Sequence, residues 1–409
     1  MLTIRIALRH LLRHKRRSLL TGLSMLVGFV LACFFIGWAD GTYNHIIDTF
    51  ARNRSGHIQV HREGYRDKAS LYKTIDEPDR AIRELETVDR VVSWSPRLLA
   101  AGLVSVSDKS AGAEVFGVDP EAEDRTTNLS GQVVEGTYFS GVDPEEGLAE
   151  TLLGKDLARI LDGGIGDEVV IVSQAADGSI ANDLYRIVGL VDTGDPGLDR
   201  SALYLPLTVA QELFVLPGSV HEIAITVENL NAVEPVTAEL SRRPALQGLE
   251  VAPWQVFARD FYRAMQADKN GMYISLVVVV IVVAITVLNT ILMSVLERRK
   301  EYGVLRAVGT RPGQIVGMVV TETALLTLSA MLLGALFGYL INLYFSVHGI
   351  VLENPISWGS LQIDVMKGEI NARSFYLPAI TVAATSMTVC LFPAIHAART
   401  DPAKTMRMF

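Results

Sequence analysis

Cysteine is nearly missing from this sequence: two occur in 409 residues, Cys33 and Cys390. Both fall inside long apolar runs, at depths that the topology below makes different, and a disulfide needs Cα atoms within about 7 Å. A disulfide-stapled fold is therefore excluded, and any exported part must stand on its own core. Charge is missing from whole stretches. Met272–Leu296 contains no Asp, Glu, Lys or Arg. As a helix such a run would cover about 37 Å, enough for the roughly 30 Å hydrocarbon core of a bilayer with some tilt. A nucleotide cradle is also lacking. The nearest segment, Gly147–Asp156, has the wrong glycine spacing, and Asp156 follows Lys155 where a magnesium-binding hydroxyl belongs. Neither Gly-x-Ser-x-Gly nor His-Glu-x-x-His occurs, so the common hydrolase constellations have no support. No 20–50-residue repeat or low-complexity tract is present. No catalytic residue, bound cofactor or metal site is expected.

What is present divides into membrane and water-facing parts. The chain is 49% apolar and 20% charged, with a mean hydropathy of +0.29. That is too apolar for a soluble protein of this length and too charged for a bare helical bundle. Four transmembrane helices are expected: 19–39, 272–296, 312–345 and 374–398. Leu19–Ala39 reads as a retained anchor rather than a cleaved signal. Its apolar run exceeds the 7–15 residues of a signal peptide, and Trp38 and Asp40 sit where an interfacial anchor would.

Charge sets the sidedness. Residues 1–18, 297–311 and 399–409 together carry 14 bases and 3 acids, whereas 41–270 carries 37 acids and 21 bases. By the positive-inside rule both termini and the 297–311 loop are cytoplasmic. The 40–270 domain and the 346–373 loop then lie outside. The fold class is a four-helix membrane protein with a large α/β (α+β) extracytoplasmic domain inserted between helices 1 and 2. Residues 1–18 read as a cytoplasmic interfacial helix, with Ile4, Leu8, Leu11 and Leu12 opposite Arg5, Arg9, Arg13 and Arg16; a simple orientation signal is the alternative.

Within the exported domain, strands are expected at Gly56–Val60, Leu99–Val106, Val115–Val118, Glu168–Ser173, Leu184–Val191 and Glu222–Glu228. Helices are expected at Pro78–Val88, Gly154–Leu161 and Val233–Leu240. Two lobes are expected, a β-rich one over about 130–215 inserted between the halves of an α/β lobe. Trp254–Lys269 reads as a lateral helix at the membrane surface.

Three groups invite a chemical reading. His57 and His61 alternate with Ile58 and Val60, which places them on an exposed strand face rather than around zinc. Asp192, Asp195 and Asp199 lie in a Gly/Pro-rich loop, where calcium is conceivable but a solvated acidic loop is the simpler reading. Glu322 lies about ten residues into the third span. An acid there is either functional or bonded to a neighbouring helix near the inner interface.

The most informative segment runs from Asn289 to Ile315. A span ends at Glu297, a short helix follows over 300–308, Gly309 caps it, and Pro312 opens the next span. Val304, Leu305 and Val308 beside Glu301 and Arg306 suit docking into a partner's groove. Glu297, Arg298, Glu301, Tyr302, Gly303, Val304, Leu305, Arg306, Ala307, Val308 and Gly309 resemble the coupling-helix signature of FtsX/MacB-type ABC transporter permeases. Thr321–Leu326, Leu153–Ala158 with Gly166–Val169, and Pro393–Ala403 resemble further family stretches. The segment Gly56–Tyr65 is similar to the LolC/LolE-like branch associated with lipoprotein release. The chain departs from MacB proper, which carries a fused ATPase, and from LolC and LolE in the Asn289-Thr290 that precedes Glu297.

The resemblance implies a type VII permease subunit in the bacterial inner membrane. Two such chains, identical or paralogous, pair with two copies of a soluble ATPase that binds ATP and magnesium. A periplasmic chaperone or adaptor and membrane lipids are further implied partners; nucleic acid is not. The cargo implied is a lipoprotein or other lipophilic molecule. Signalling to an extracytoplasmic hydrolase or sensor, and efflux of amphipathic peptides or drugs, are the alternatives.

Overall fold

Apolar length decides the first part of the architecture. In a computed structural model describing residues 15–140, 147–358 and 361–399, four helices are long and apolar enough to cross a membrane: Lys15–Phe50, Arg259–Glu297, Pro312–His348 and Arg373–Ala398. Each contains an 18-residue window of mean hydropathy between 1.7 and 3.0. The interfacial helix expected over residues 1–18 lies outside the described residues up to His14, as does the tail beyond Arg399; from Lys15 onward the chain is helical.

Two helices are longer than the hydropathy alone indicates. The first continues past Ala39 to Phe50 and ends in a π-turn, Ala51–Ser55. The lateral helix expected over 254–269 is instead one turn, Trp254–Phe257, then a break at Ala258 (φ −101°, ψ 47°), then the start of the 39-residue helix Arg259–Glu297. No proline stops a helix in 259–271, and Ala, Met, Gln and Lys favour helix enough to outweigh Gly271. The third helix runs to His348 and stops at Gly349. The expected 346–373 loop contains a hairpin of Ile350–Trp358 with Leu361–Met366.

The chain divides into two compact units. In the helical unit, Met25, Val287, Ile291, Val295, Ile315, Val319, Ala330, Cys390 and Ala394 form one buried cluster. Small residues let backbones approach, as expected where no hydrophobic effect draws helices together in lipid. A Cβ on Gly334 would lie 2.7 Å from Phe29 and one on Gly338 3.1 Å from Cys33, whereas Gly22 has nothing within 4 Å and is no packing position. Another such approach on the first helix is one that periodicity does not reveal. Gly37 accommodates the fully buried Asn342, whose Nδ2 donates to the Cys33 carbonyl at 3.2 Å.

The second unit is built on a ten-stranded sheet. Its strands are β1 (Ile58–Arg62), β2 (Val91–Val106), β3 (Lys109–Val118), β4 (Val133–Gly136), β5 (Glu150–Gly154), β6 (Glu168–Gln174), β7 (Ile180–Val191), β8 (Ala202–Pro206), β9 (Glu222–Val227) and β10 (Leu249–Pro253). Their order is β10-β1-β9-β2-β3-β8-β5-β7-β4, with β6 paired to β2 and β7. The strands of the expected β-rich lobe therefore do not form a separate sheet. β8 joins β3 in parallel register, and β6 joins β2. The reason is length: β2 has 16 residues, so its first half pairs with β9 and its second half with β6. The core beneath contains Leu98, Val104, Val115, Leu153, Leu157, Tyr185, Leu203 and Phe214.

The polar groups of this unit are buried more often than their spacing indicates. β1 lies between β10 and β9, so His57 and His61 are buried rather than exposed. His61 stacks on Tyr65 with 4.9 Å between ring centroids, and its Nδ1 lies 3.0 Å from the His221 carbonyl. His57 Nε2 lies 3.3 Å from Asp48. Arg97 reaches Glu123 with two bonds of 2.9 and 2.6 Å and Glu222 with one of 2.8 Å, all three side chains at most 7% exposed. Burial alone would raise the Glu123 carboxyl, but the Arg97 guanidinium holds it below its ordinary value. The 192–199 loop is likewise not a solvated acidic loop. Asp195 caps Pro196–Asp199 through the Gly197 N–H and pairs with Arg54. Asp199 accepts from Thr193 N–H and Oγ1, and Asp192 pairs with Lys155. Among the described residues no group of three His, Cys, Asp or Glu is placed to hold a metal ion.

Candidate coupling site

The short helix occupies Arg299–Ala307, one residue earlier than its spacing indicates. Arg298 alone separates it from the helix ending at Glu297. Its φ of −92° and ψ of 13° bend the chain there, while Tyr302 N–H still donates to the Arg298 carbonyl at 3.1 Å. The far end closes as a Schellman motif: Thr310 N–H donates to Leu305 O at 3.0 Å and Gly309 N–H to Arg306 O at 3.1 Å. Gly309 takes φ +101°, which a side chain would strain. Pro312 begins the next helix, and Gln314 Oε1 accepts the Arg311 N–H at 2.9 Å.

These ends fix which face the helix shows. Tyr302 and Gly303 are buried, and Leu305 and Arg306 are half-buried. Tyr302 packs in the cluster that contains Ile315, Val319 and Ala394. Glu301, Val304, Ala307, Val308 and Gly309 are exposed, as is Glu297 before the bend. Val304 and Val308, 53% and 82% exposed, stand one turn apart with Lys300 and Glu301 beside them. The result is an apolar strip with a charged border, on a helix anchored from behind.

The structure brings together two features that the sequence leaves separate. Arg298 turns inward, and its Nη1 donates to Glu322 Oε2 at 2.9 Å, with side-chain exposures of 5% and 16%. Of the two roles open to Glu322, its ties are those of an acid bonded to a neighbouring element. A small cavity of about 30 Å³ adjoins the pair, lined by Thr21, Thr290, Ser294, Tyr302 and Thr323 among others. Removing one partner of such a buried pair would strand the other charge, typically at 3–5 kcal/mol, roughly. Only a solitary acid in one apolar run and a basic residue at a helix junction signal this contact in the sequence.

The second unit contains a cleft of about 790 Å³, bordered by Phe50, Tyr65, Phe116, Phe257 and Phe261 with Arg54, Arg97 and Glu222. Its aromatic and charged lining suits an amphipathic ligand better than a small polar one.

Comparison with known proteins places the whole chain. Residues 18–243 match the MacB-like periplasmic core domain and residues 273–402 the FtsX-like permease C-terminal domain. The chain is 21% identical to the lipoprotein-releasing system transmembrane protein LolC of Neisseria meningitidis serogroup B, over 80% of each chain. It is 25% identical to the macrolide export ATP-binding/permease protein MacB of Sodalis glossinidius, over 99% of this chain and 60% of that one. The periplasmic region of MacB from Actinobacillus actinomycetemcomitans aligns with 50% of this chain at a TM-score of 0.37 and 15% identity. An apolar four-helix unit, a short helix held between its second and third helices, and a sheet domain that matches the periplasmic core together lead to one assignment: this chain belongs to the FtsX-like permeases with a MacB-like periplasmic core domain, the ABC transporter permeases of the LolC/LolE and MacB type.

Proposed function

We propose that this permease couples ATP hydrolysis on a separate soluble ATPase to movement of its extracytoplasmic domain, and so extracts lipoproteins or other lipophilic cargo from the membrane. The observation that carries the reading is the exposed Val304–Val308 strip on a helix whose opposite face is packed and ion-paired. Two copies of the ATPase, with ATP and magnesium, would engage two permease chains at this strip. Both termini and the short helix face the cytoplasm in this reading, in keeping with the 14 bases and 3 acids of those segments. A periplasmic chaperone or adaptor would receive the cargo. The relation to LolC favours lipoproteins, and the aromatic cleft agrees with an amphipathic ligand. The relation to MacB over 99% of the chain favours efflux of amphipathic compounds as the second reading.

Affinity capture of the tagged chain in mild detergent, followed by mass spectrometry, tests this. A soluble ATPase with lipoproteins retained in the absence of ATP is the expected result. An ATPase without lipoproteins would move the assignment to efflux or signalling, and no ATPase would overturn it. Glu301→Lys is expected to abolish stimulation of the captured ATPase while membrane insertion is unchanged.

A further inference from the structure

We propose that the Arg298–Glu322 ion pair is the mechanical link through which a push on the short helix reaches the third span. The proposal rests on the coupling role given above to Arg299–Ala307. A pushed helix yields where its connections are soft, and both connections of this one are. On one side the only joint is the bend at Arg298. On the other, Val308–Arg311 is non-helical and includes Gly309 at φ +101°. Backbone alone would absorb displacement at both joints.

The ion pair bypasses the second joint. Glu322 lies ten residues beyond Pro312, so the guanidinium grips the third helix about 15 Å along its axis. The first joint is braced as well, because the Tyr302 N–H, one turn into the short helix, donates to the Arg298 carbonyl at 3.1 Å. The choice of partner is informative. Glu297 and Glu301 are near in sequence but exposed, whereas Arg298 is buried against the more distant acid. Two apolar side chains could fill the same space without removing charges from water. They could also slide past one another, whereas a charge-assisted bond at 2.9 Å defines one register. Arg298 and Glu322 are thus positioning residues that act through the helices they join.

The test uses the full chain with its captured ATPase in nanodiscs. Cys33 and Cys390 are replaced by alanine, and spin labels are placed at the exposed positions Ile274, near the start of the charge-free run of the second helix, and Val347, near the end of the third. The distance between labels is read without nucleotide and with Mg-ATP and vanadate. The expected result is a nucleotide-driven shift in the otherwise unaltered chain and its loss in Glu322→Gln, with the ATPase still bound. The charge-exchanged double variant Arg298→Glu/Glu322→Arg should regain it. A purely structural role would lower the melting temperature yet leave the shift in the molecules that assemble. A full shift in Glu322→Gln overturns the proposal. If that variant does not assemble, the exchanged pair decides: a shift supports the link and an assembled complex without one refutes it. Failure of the unaltered chain to hold any ATPase would instead overturn the coupling reading itself.

Discussion

Val308→Asp separates docking from folding more sharply than any other single change at the short helix. The side chain is 82% exposed, so the substitution removes almost no packing, and stability should stay within about 0.5 kcal/mol. Docking is another matter. Fully burying a valine is worth about 1.5–3 kcal/mol. Scaled by the exposed fraction, a partner that covers Val308 would lose about 1.2–2.5 kcal/mol, or roughly 8- to 65-fold in affinity. The desolvated carboxylate adds to that loss. Capture of the ATPase at graded ATPase concentrations, with the melting temperature of the permease measured alongside, gives both quantities. Tyr302→Ala is the counterpart: that ring is 3% exposed, and its removal should cost about 3–5 kcal/mol of stability. Undiminished capture by Val308→Asp, at unchanged melting temperature, would show that the exposed strip is not the docking face.

Three further outcomes follow from the buried polar groups. Arg97→Ala leaves Glu123 and Glu222 without their cation, at about 3–5 kcal/mol, and should lower the melting temperature by roughly 6–20 °C; a drop below about 2 °C would mean that the network is not holding the sheet. His221 accepts the Leu99 N–H on Nδ1 at 3.1 Å, with Nε2 3.0 Å from the Leu71 carbonyl, and burial lowers its pKa below 6.5. Its neutral form favours folding, so its contribution is present above pH 6.5 and is lost as pH falls through the lowered folded value, with a slope of at most about 1.4 kcal/mol per pH unit. Melting curves from pH 7.5 down to 5 should therefore be flatter for His221→Gln than for the native chain, and parallel curves would refute the assignment. Gly37→Ala would place a methyl 2.6 Å from Asn342 Nδ2, forcing that side chain off the Cys33 carbonyl at a cost of about 1–3 kcal/mol. Detergent melting should show the loss and its partial recovery in Gly37→Ala/Asn342→Ala, and an unshifted Gly37→Ala would mean that the helices do not meet there.

Much of the candidate site was legible in the sequence because its determinants are local. The charge-free runs, Gly309 as helix cap, Pro312 as first residue of the next helix and the apolar spacing of Val304 and Val308 act within one or two turns, where periodicity and capping leave a direct trace. Most strands of the sheet unit carry the same kind of trace, with ends moved by several residues where a neighbour extended them.

Tertiary structure alone decided what depends on partners distant in the chain. His57 and His61 alternate as an exposed face would, yet β1 is enclosed by β9 and β10 from more than 150 residues away, and both rings are buried. The acids at 192–199 look solvated until Arg54, Lys155 and Thr193 are seen to hold them. Glu322 shows in the sequence only as an acid in an apolar run. Its partner 24 residues earlier is chosen because the turn at Gly309 folds the third helix back beside Arg298, and because a buried carboxylate gains most from a cation held within bonding distance. Local chemistry thus determined the elements and the exposed strip, and long-range pairing determined which charges are buried together.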